Sequence, residues 1–117
     1  PGYQSSAKDL KPSTRQRFVA LDFDYPDADH EAAIVAHEAG IDASLARRLV
    51  RIAQGSRELK HHGLDEGVST RMLIYAGVLI RDGVSPAESC DMTMTRALTD
   101  DPDMATALRA LIDANLE

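Results

Sequence analysis

The stretch VSTRMLIYAGVLIRDG, residues 68–83, decides the fold. From Met72 to Ile80 it runs nine residues without a charged or strongly polar side chain. A segment apolar on every side reads as a helix buried over most of its circumference. Ser69 is its N-cap, since a hydroxyl there accepts from a free backbone N–H of the first turn. Gly83 marks its end. Arg71 then falls in the first turn, where the helix dipole already concentrates positive potential and disfavours a cation. Either Asp65 or Glu66 neutralises it, or an anion from elsewhere does, because the free N–H groups of a helix start are themselves an anion site. Local physics leaves these two readings even.

Helices are expected on both sides. Downstream, Ser85-Pro86 opens one that runs to about Leu98, with proline at the position where a missing N–H costs nothing. Asp101-Pro102 opens the last, which repeats Met104, Leu108, Leu111 and Ile112. Upstream, Asp27 caps a helix ending at Gly40, with Ala28, Ala32, Val35, Ala36 and Ala39 on one face. Asp42 caps a longer one to about His61, with Leu45, Leu49, Ile52 and Leu59 inward. Gly55 inside it costs about 1 kcal/mol relative to alanine and marks a place for a kink.

The pattern changes at residue 26. VALDFDYP, 19–26, alternates Val19, Leu21, Phe23 and Tyr25 against Ala20, Asp22 and Asp24, a strand with one buried face that Pro26 stops. A lone strand cannot exist, so it pairs with another copy or its sheet lies upstream of Pro1. Residues 1–12 read as loop, and PSTRQRF, 12–18, as one short helical turn. The fold class is therefore mainly α, a helical bundle preceded by the tail of an α/β layer. A first residue that is Pro rather than Met suggests a processed end or a cut within a longer chain.

Composition agrees. A chain of 117 residues that is 44% hydrophobic, with no Trp and only three Tyr and two Phe, has an aliphatic core of the kind packed helices form. The net charge of −6 lies entirely in residues 61–117, which argues against general nucleic-acid binding. A single cysteine, Cys90, excludes an internal disulfide and a CxxC metal site and fits a reducing cytoplasm. The sequence has neither an 18-residue apolar stretch nor a signal-peptide pattern, so a soluble protein without membrane insertion is expected.

Few residues carry chemistry by pattern alone. His30 and His37, with Glu31 and Glu38, repeat at seven residues rather than the three or four that ligands on one helix need; they read as surface residues, and no metal site is expected. His61 and His62 point in different directions. Cys90 stands beside Asp91, which disfavours a thiolate, and reads as a small core residue. The basic stripe Arg47, Arg48, Arg51, Arg57 and Lys60 reads as a solvated face. No GxxxxGK[ST] phosphate loop occurs, so the chain by itself has no triphosphate cradle. Two places remain: Arg15 and Arg17 on the short turn before the strand, and Arg71 with Ser69 and Thr70 at the helix start.

The segments PGYQ, STRQRF and EGVSTR followed by LTDDPD, in that order and spacing, resemble the C-terminal part of a MoxR-type AAA+ ATPase of the CbbQ/NorQ/NirQ subgroup. The resemblance runs over nearly all 117 residues. The broader MoxR family usually reads SPR where this chain has Ser69-Thr70-Arg71, which points to the narrower subgroup; Ser6 and Ala7 stand where larger apolar residues are usual.

The resemblance implies a longer protein, with a Walker A loop, a Walker B strand and a sensor-1 asparagine before Pro1. Residues 1–26 would then be the end of the ATPase core and 27–117 the helical lid, which supplies the missing partners of the strand. Arg17 in RQRF resembles the arginine finger that reaches the γ-phosphate in the neighbouring subunit, with Arg15 as second candidate. Arg71 in STR, flanked by Ser69 and Thr70, resembles the sensor-2 arginine that contacts nucleotide from the lid of its own subunit. The family further implies ATP and Mg2+ for the full-length protein and none for this piece alone, and a hexameric ring of self-associated subunits in the cytoplasm. It also implies a von Willebrand A-domain partner of the CbbO/NorD type, and Rubisco or nitric oxide reductase as the target activated. A free-standing helical interaction module that never touches nucleotide is the alternative. A helix-turn-helix DNA binder around residues 42–61 is a third reading.

Overall fold

The computed structural model describes residues 25–116. Helix α1 (Ala28–Ala39) is followed by α2 (Ala43–Leu59), which ends in a 3-10 turn at Lys60–His62. Helix α3 (Thr70–Arg81) comes next. Helix α4 (Pro86–Cys90) runs without a break into a π turn (Asp91–Thr95) and a closing α turn (Arg96–Leu98), and α5 (Pro102–Leu116) completes the order. There is no strand among the described residues. The expected strand at 19–26 lies outside them except for Tyr25 and Pro26, which are irregular.

Every expected cap forms by the same device, a side-chain oxygen accepting from the N–H three residues on. Asp27 accepts from His30 at 2.9 Å, Asp42 from Leu45 at 2.7 Å and Ser69 from Met72 at 3.2 Å. Ser85 accepts from Glu88 at 3.3 Å and Asp101 from Met104 at 3.0 Å. Gly40 closes α1 with φ of 71°, the left-handed conformation that glycine adopts without a Cβ penalty. Its N–H donates back to the Ala36 carbonyl at 3.0 Å.

Helix α1 packs on α2 and α3, α2 on α5, and α3 on α4 and the π turn. Val35, Leu49, Ile52, Leu73 and Met94 are fully buried where these surfaces meet. The inward faces expected of α1, α2 and α5 hold: Ala32, Val35, Ala39, Leu49, Ile52, Leu108 and Ile112 are buried, and their neighbours on each stripe are at least half-covered.

One expectation holds and two are refined. Helix α3 is covered over most of its circumference, as expected: Leu73, Ala76 and Gly77 are buried, Met72, Ile74, Val78, Leu79 and Ile80 are half-buried, and between Met72 and Ile80 Tyr75 alone is exposed, at 55%. Gly55 does not break α2, which runs continuously from Ala43 to Leu59. A Cβ there would sit 2.6 Å from Leu111 Cδ1, so its glycine lets α5 approach α2 closely. The helix opened by Pro86 reaches Leu98 only through the π turn, which brings Asp91 to Arg96 Nε at 3.1 Å and to Arg109 Nε of α5 at 2.7 Å.

Candidate functional site

The start of α3 is held from three directions. Val68, two residues before the helix, has its N–H on Ser56 Oγ at 2.8 Å, and Ser56 in turn donates to the Ala53 carbonyl at 2.7 Å. The Val68 carbonyl accepts from Arg57 Nε at 3.2 Å. Thr70 Oγ1 donates to Glu31 Oε2 at 2.8 Å. Val68 and Ser56 are buried, and the chain passes so close to α2 that a Cβ on Gly67 would lie 2.7 Å from Arg57 Cγ and 2.9 Å from Arg57 Cα.

At the centre is an ion pair. Arg57 Nη1 meets Glu31 Oε1 at 2.9 Å and Arg57 Nη2 meets Glu31 Oε2 at 2.7 Å, the two-pronged geometry in which a guanidinium matches a carboxylate. Glu31 is fully buried, and the Arg57 side chain is 14% exposed. The outer face of the Arg57 guanidinium stacks on Tyr25, 3.5 Å from the ring centroid. Arg57 therefore touches the residue preceding Pro26, helix α1 and the entry to α3.

The expected surface readings of Glu31 and Arg57 are thus corrected. Each looks solvated by local pattern, Glu31 beside exposed His30 and Arg57 in line with exposed Arg47, Arg48 and Arg51, yet the two neutralise each other in the interior. Their separation of 26 residues leaves no local signal of the pairing. The sequence does carry one hint, a glycine and a small residue, Gly67 and Ser56, at the points of contact.

Arg71 is exposed in the first turn of α3 and, among the described residues, makes no ion pair; Asp65 and Glu66 are exposed and do not bridge to it. Ser69 is occupied as N-cap, and Thr70 directs its hydroxyl to Glu31, so both meet protein atoms here. A cavity of about 290 Å³ opens next to this helix start, lined by Tyr25, Lys60, Glu66, Gly67, Ser69 and Met72. Arg71 is not among the lining residues, and the wall carries Glu66 as well as Lys60, so the anion-favouring features are the helix start itself and the Arg71 guanidinium, which has no ion pair among the described residues. Arg15 and Arg17 lie outside the described residues.

Other polar groups offer less. Burial pushes the Cys90 thiol up to about 12, so it is inert as a nucleophile at neutral pH. Among the described residues no group of three or more metal-binding side chains converges, and no described helix is long and apolar enough to cross a membrane.

These features define a compact all-helical domain, consistent with the lid that closes an AAA+ protein, with an arginine presented at a capped helix start. The chain belongs to the CbbQ/NirQ/NorQ C-terminal family, whose model matches residues 31–115. It is similar to protein CbbQ of Hydrogenophilus thermoluteolus, 59% identical over 110 residues that are 94% of this chain and 41% of that protein. It is 50% identical to denitrification regulatory protein NirQ of Pseudomonas aeruginosa over 116 residues, 99% of this chain and 45% of that one. Against protein NorQ of Paracoccus denitrificans the identity is 47% over 114 residues, 97% and 42% of the two chains. The chain thus spans less than half the length of the curated relatives it matches.

Proposed function

We propose that this chain is the lid end of an ATP-hydrolysing, MoxR-type AAA+ activator, with residues 1–26 closing the nucleotide-binding core and 27–117 forming the lid. The observation that carries the reading is Arg71, a guanidinium without a partner among the described residues at a helix start that already favours anions. As sensor-2 it contacts the phosphates of nucleotide held mainly by the core, so that lid position follows nucleotide state. Ser69 contributes by shaping the helix start. ATP with Mg2+ supplies a transferable phosphoryl group. Arg17, with Arg15 as second candidate, acts as the arginine finger toward a neighbouring subunit of a hexameric ring, neutralising charge as that group leaves.

Similarity to CbbQ, NirQ and NorQ supports an activator whose target is Rubisco or nitric oxide reductase. A von Willebrand A-domain partner of the CbbO/NorD type and a cytoplasmic location are part of the proposal. Of the two targets we favour Rubisco. The lid alone, without a Walker A loop, is inert.

The test uses the full-length protein. Arg71→Ala is expected to weaken ATP binding about tenfold or more, the loss of a charge-assisted contact. Arg17→Ala is expected to leave binding intact and lower turnover about a thousandfold. Normal affinity and turnover in Arg71→Ala would return Arg71 to an ordinary surface charge and remove the basis of the proposal.

A further inference from the structure

The geometry points to Glu31 and Arg57 as positioning residues that, through Thr70 and the Val68 carbonyl, fix the first turn of α3 so that Arg71 faces the nucleotide phosphates. This inference rests on the reading of Arg71 proposed above.

A helix start is the least self-supported part of a helix, since its first N–H groups have no intrahelical acceptor. The direction of a side chain at the second helical position depends on whatever holds the residues before it. Here all three of them are held. Val68 is tied at both backbone polar groups, Ser69 is used as the cap, and Thr70 is fastened by its hydroxyl. Two of these ties lead to the Glu31–Arg57 pair and two different helices, so the turn is triangulated by α1 and α2.

A merely structural role accounts poorly for the chemistry chosen. A buried ion pair stabilises a fold no better than an apolar pair of the same volume, whereas it fixes orientation through several directed hydrogen bonds. Neither residue is itself available to nucleotide, because Glu31 is fully buried and both terminal nitrogens of Arg57 are used on Glu31. Whatever they do for ATP, they do through α3. The stacking of Tyr25 on Arg57 gives the same pair a contact at the residue next to the junction at 26–27, where lid and core would move against each other.

The test is a double-mutant cycle in the full-length protein, read as Kd for a fluorescent ATP analogue with melting temperature measured alongside. Thr70→Val removes the hydroxyl, keeps the shape and leaves the ion pair in place. It is expected to weaken binding about three- to tenfold, with Thr70→Ser close to wild type. Added to Arg71→Ala, Thr70→Val is expected to weaken binding no further, and Glu31→Gln is expected to behave the same way. An equal loss of affinity in both backgrounds would make Thr70 a direct contact, or Glu31 a general support, and overturn the positioning role. Unchanged affinity in Thr70→Val, with Arg71→Ala impaired, would overturn it as well while leaving the sensor-2 reading intact. If Arg71→Ala itself binds normally, the sensor-2 reading fails and the positioning role goes with it. Should Glu31→Gln unfold, Thr70→Val alone decides.

Discussion

A carboxylate with no exposure to water is sustainable at residue 31 only because every oxygen is used. Arg57 supplies two charge-assisted hydrogen bonds and Thr70 a third. Truncating one partner strands the other, which is the costly event for a buried pair, about 3–5 kcal/mol, whereas replacing both with apolar residues is often nearly neutral. The residual opening of Arg57 to solvent argues for the low end of that range. Glu31→Ala is therefore expected to cost about 3 kcal/mol in urea denaturation, and Glu31→Leu with Arg57→Met much less than the two single substitutions together. Additive costs in the double variant would mean that the two side chains are not energetically coupled, and the pair would then not be the device that holds the geometry. Neither residue announces this in the sequence. Glu31 sits four residues after its N-cap, and its charge beside exposed Asp29 and His30 assigns it to solvent, although its spacing from Ala28 and Val35 puts it on the buried stripe. Arg71 was legible because its oddity is local, a cation in the wrong turn, whereas the Glu31–Arg57 pair exists only through tertiary proximity.

The elements themselves were legible for the same reason. A cap is decided by a side chain and an N–H three residues away, so Asp27, Asp42, Ser69, Ser85 and Asp101 all mark true helix starts. What the pattern missed depends on a second element. Gly55 reads as a helix breaker until Leu111 is seen against it, and the π turn is silent because it contains neither Gly nor Pro and shares the apolar spacing of the flanking helix. The π turn has a consequence that can be measured. It brings Asp91 to two arginines, one within its own segment and one on α5, and the hydrogen bond from Arg109 above all holds its carboxyl below the ordinary 3.8. A carboxyl depressed in the folded state adds stability above its unfolded pKa and loses it as pH falls through the folded one. The melting-temperature gap between the wild-type chain and Asp91→Asn should thus be constant from pH 7 to about 5 and close below about pH 4. A gap that does not narrow at all as the pH falls below about 4 would mean that the substituted amide disrupts packing and that the ion pairs are not what ties the π turn to α5.

At the scale of the whole molecule, if the domain works as the proposed lid and passes a change at a nucleotide contact to the rest of a machine, it has to respond as one body. The fold is built for that, since α1 contacts both α2 and α3, and α5 contacts both α2 and α4, so no helix can leave without opening a shared core. Cys90 reports on this directly. It is fully buried at the end of α4, directly before the π turn, the segment of least regular backbone and the natural place for a partial opening. Its thiol is driven up to about 12 by burial, so reaction with a thiol reagent at neutral pH requires exposure. If the domain opens only as a unit, the free energy of opening obtained from the Cys90 labelling rate should equal the global unfolding free energy and fall with urea at the same slope. Labelling that is faster than global unfolding permits, with a shallow urea dependence, would show that α4 and the π turn detach on their own. The lid would then be two units, and a signal arriving at Arg71 through α1, α2 and α3 would stop short of α4.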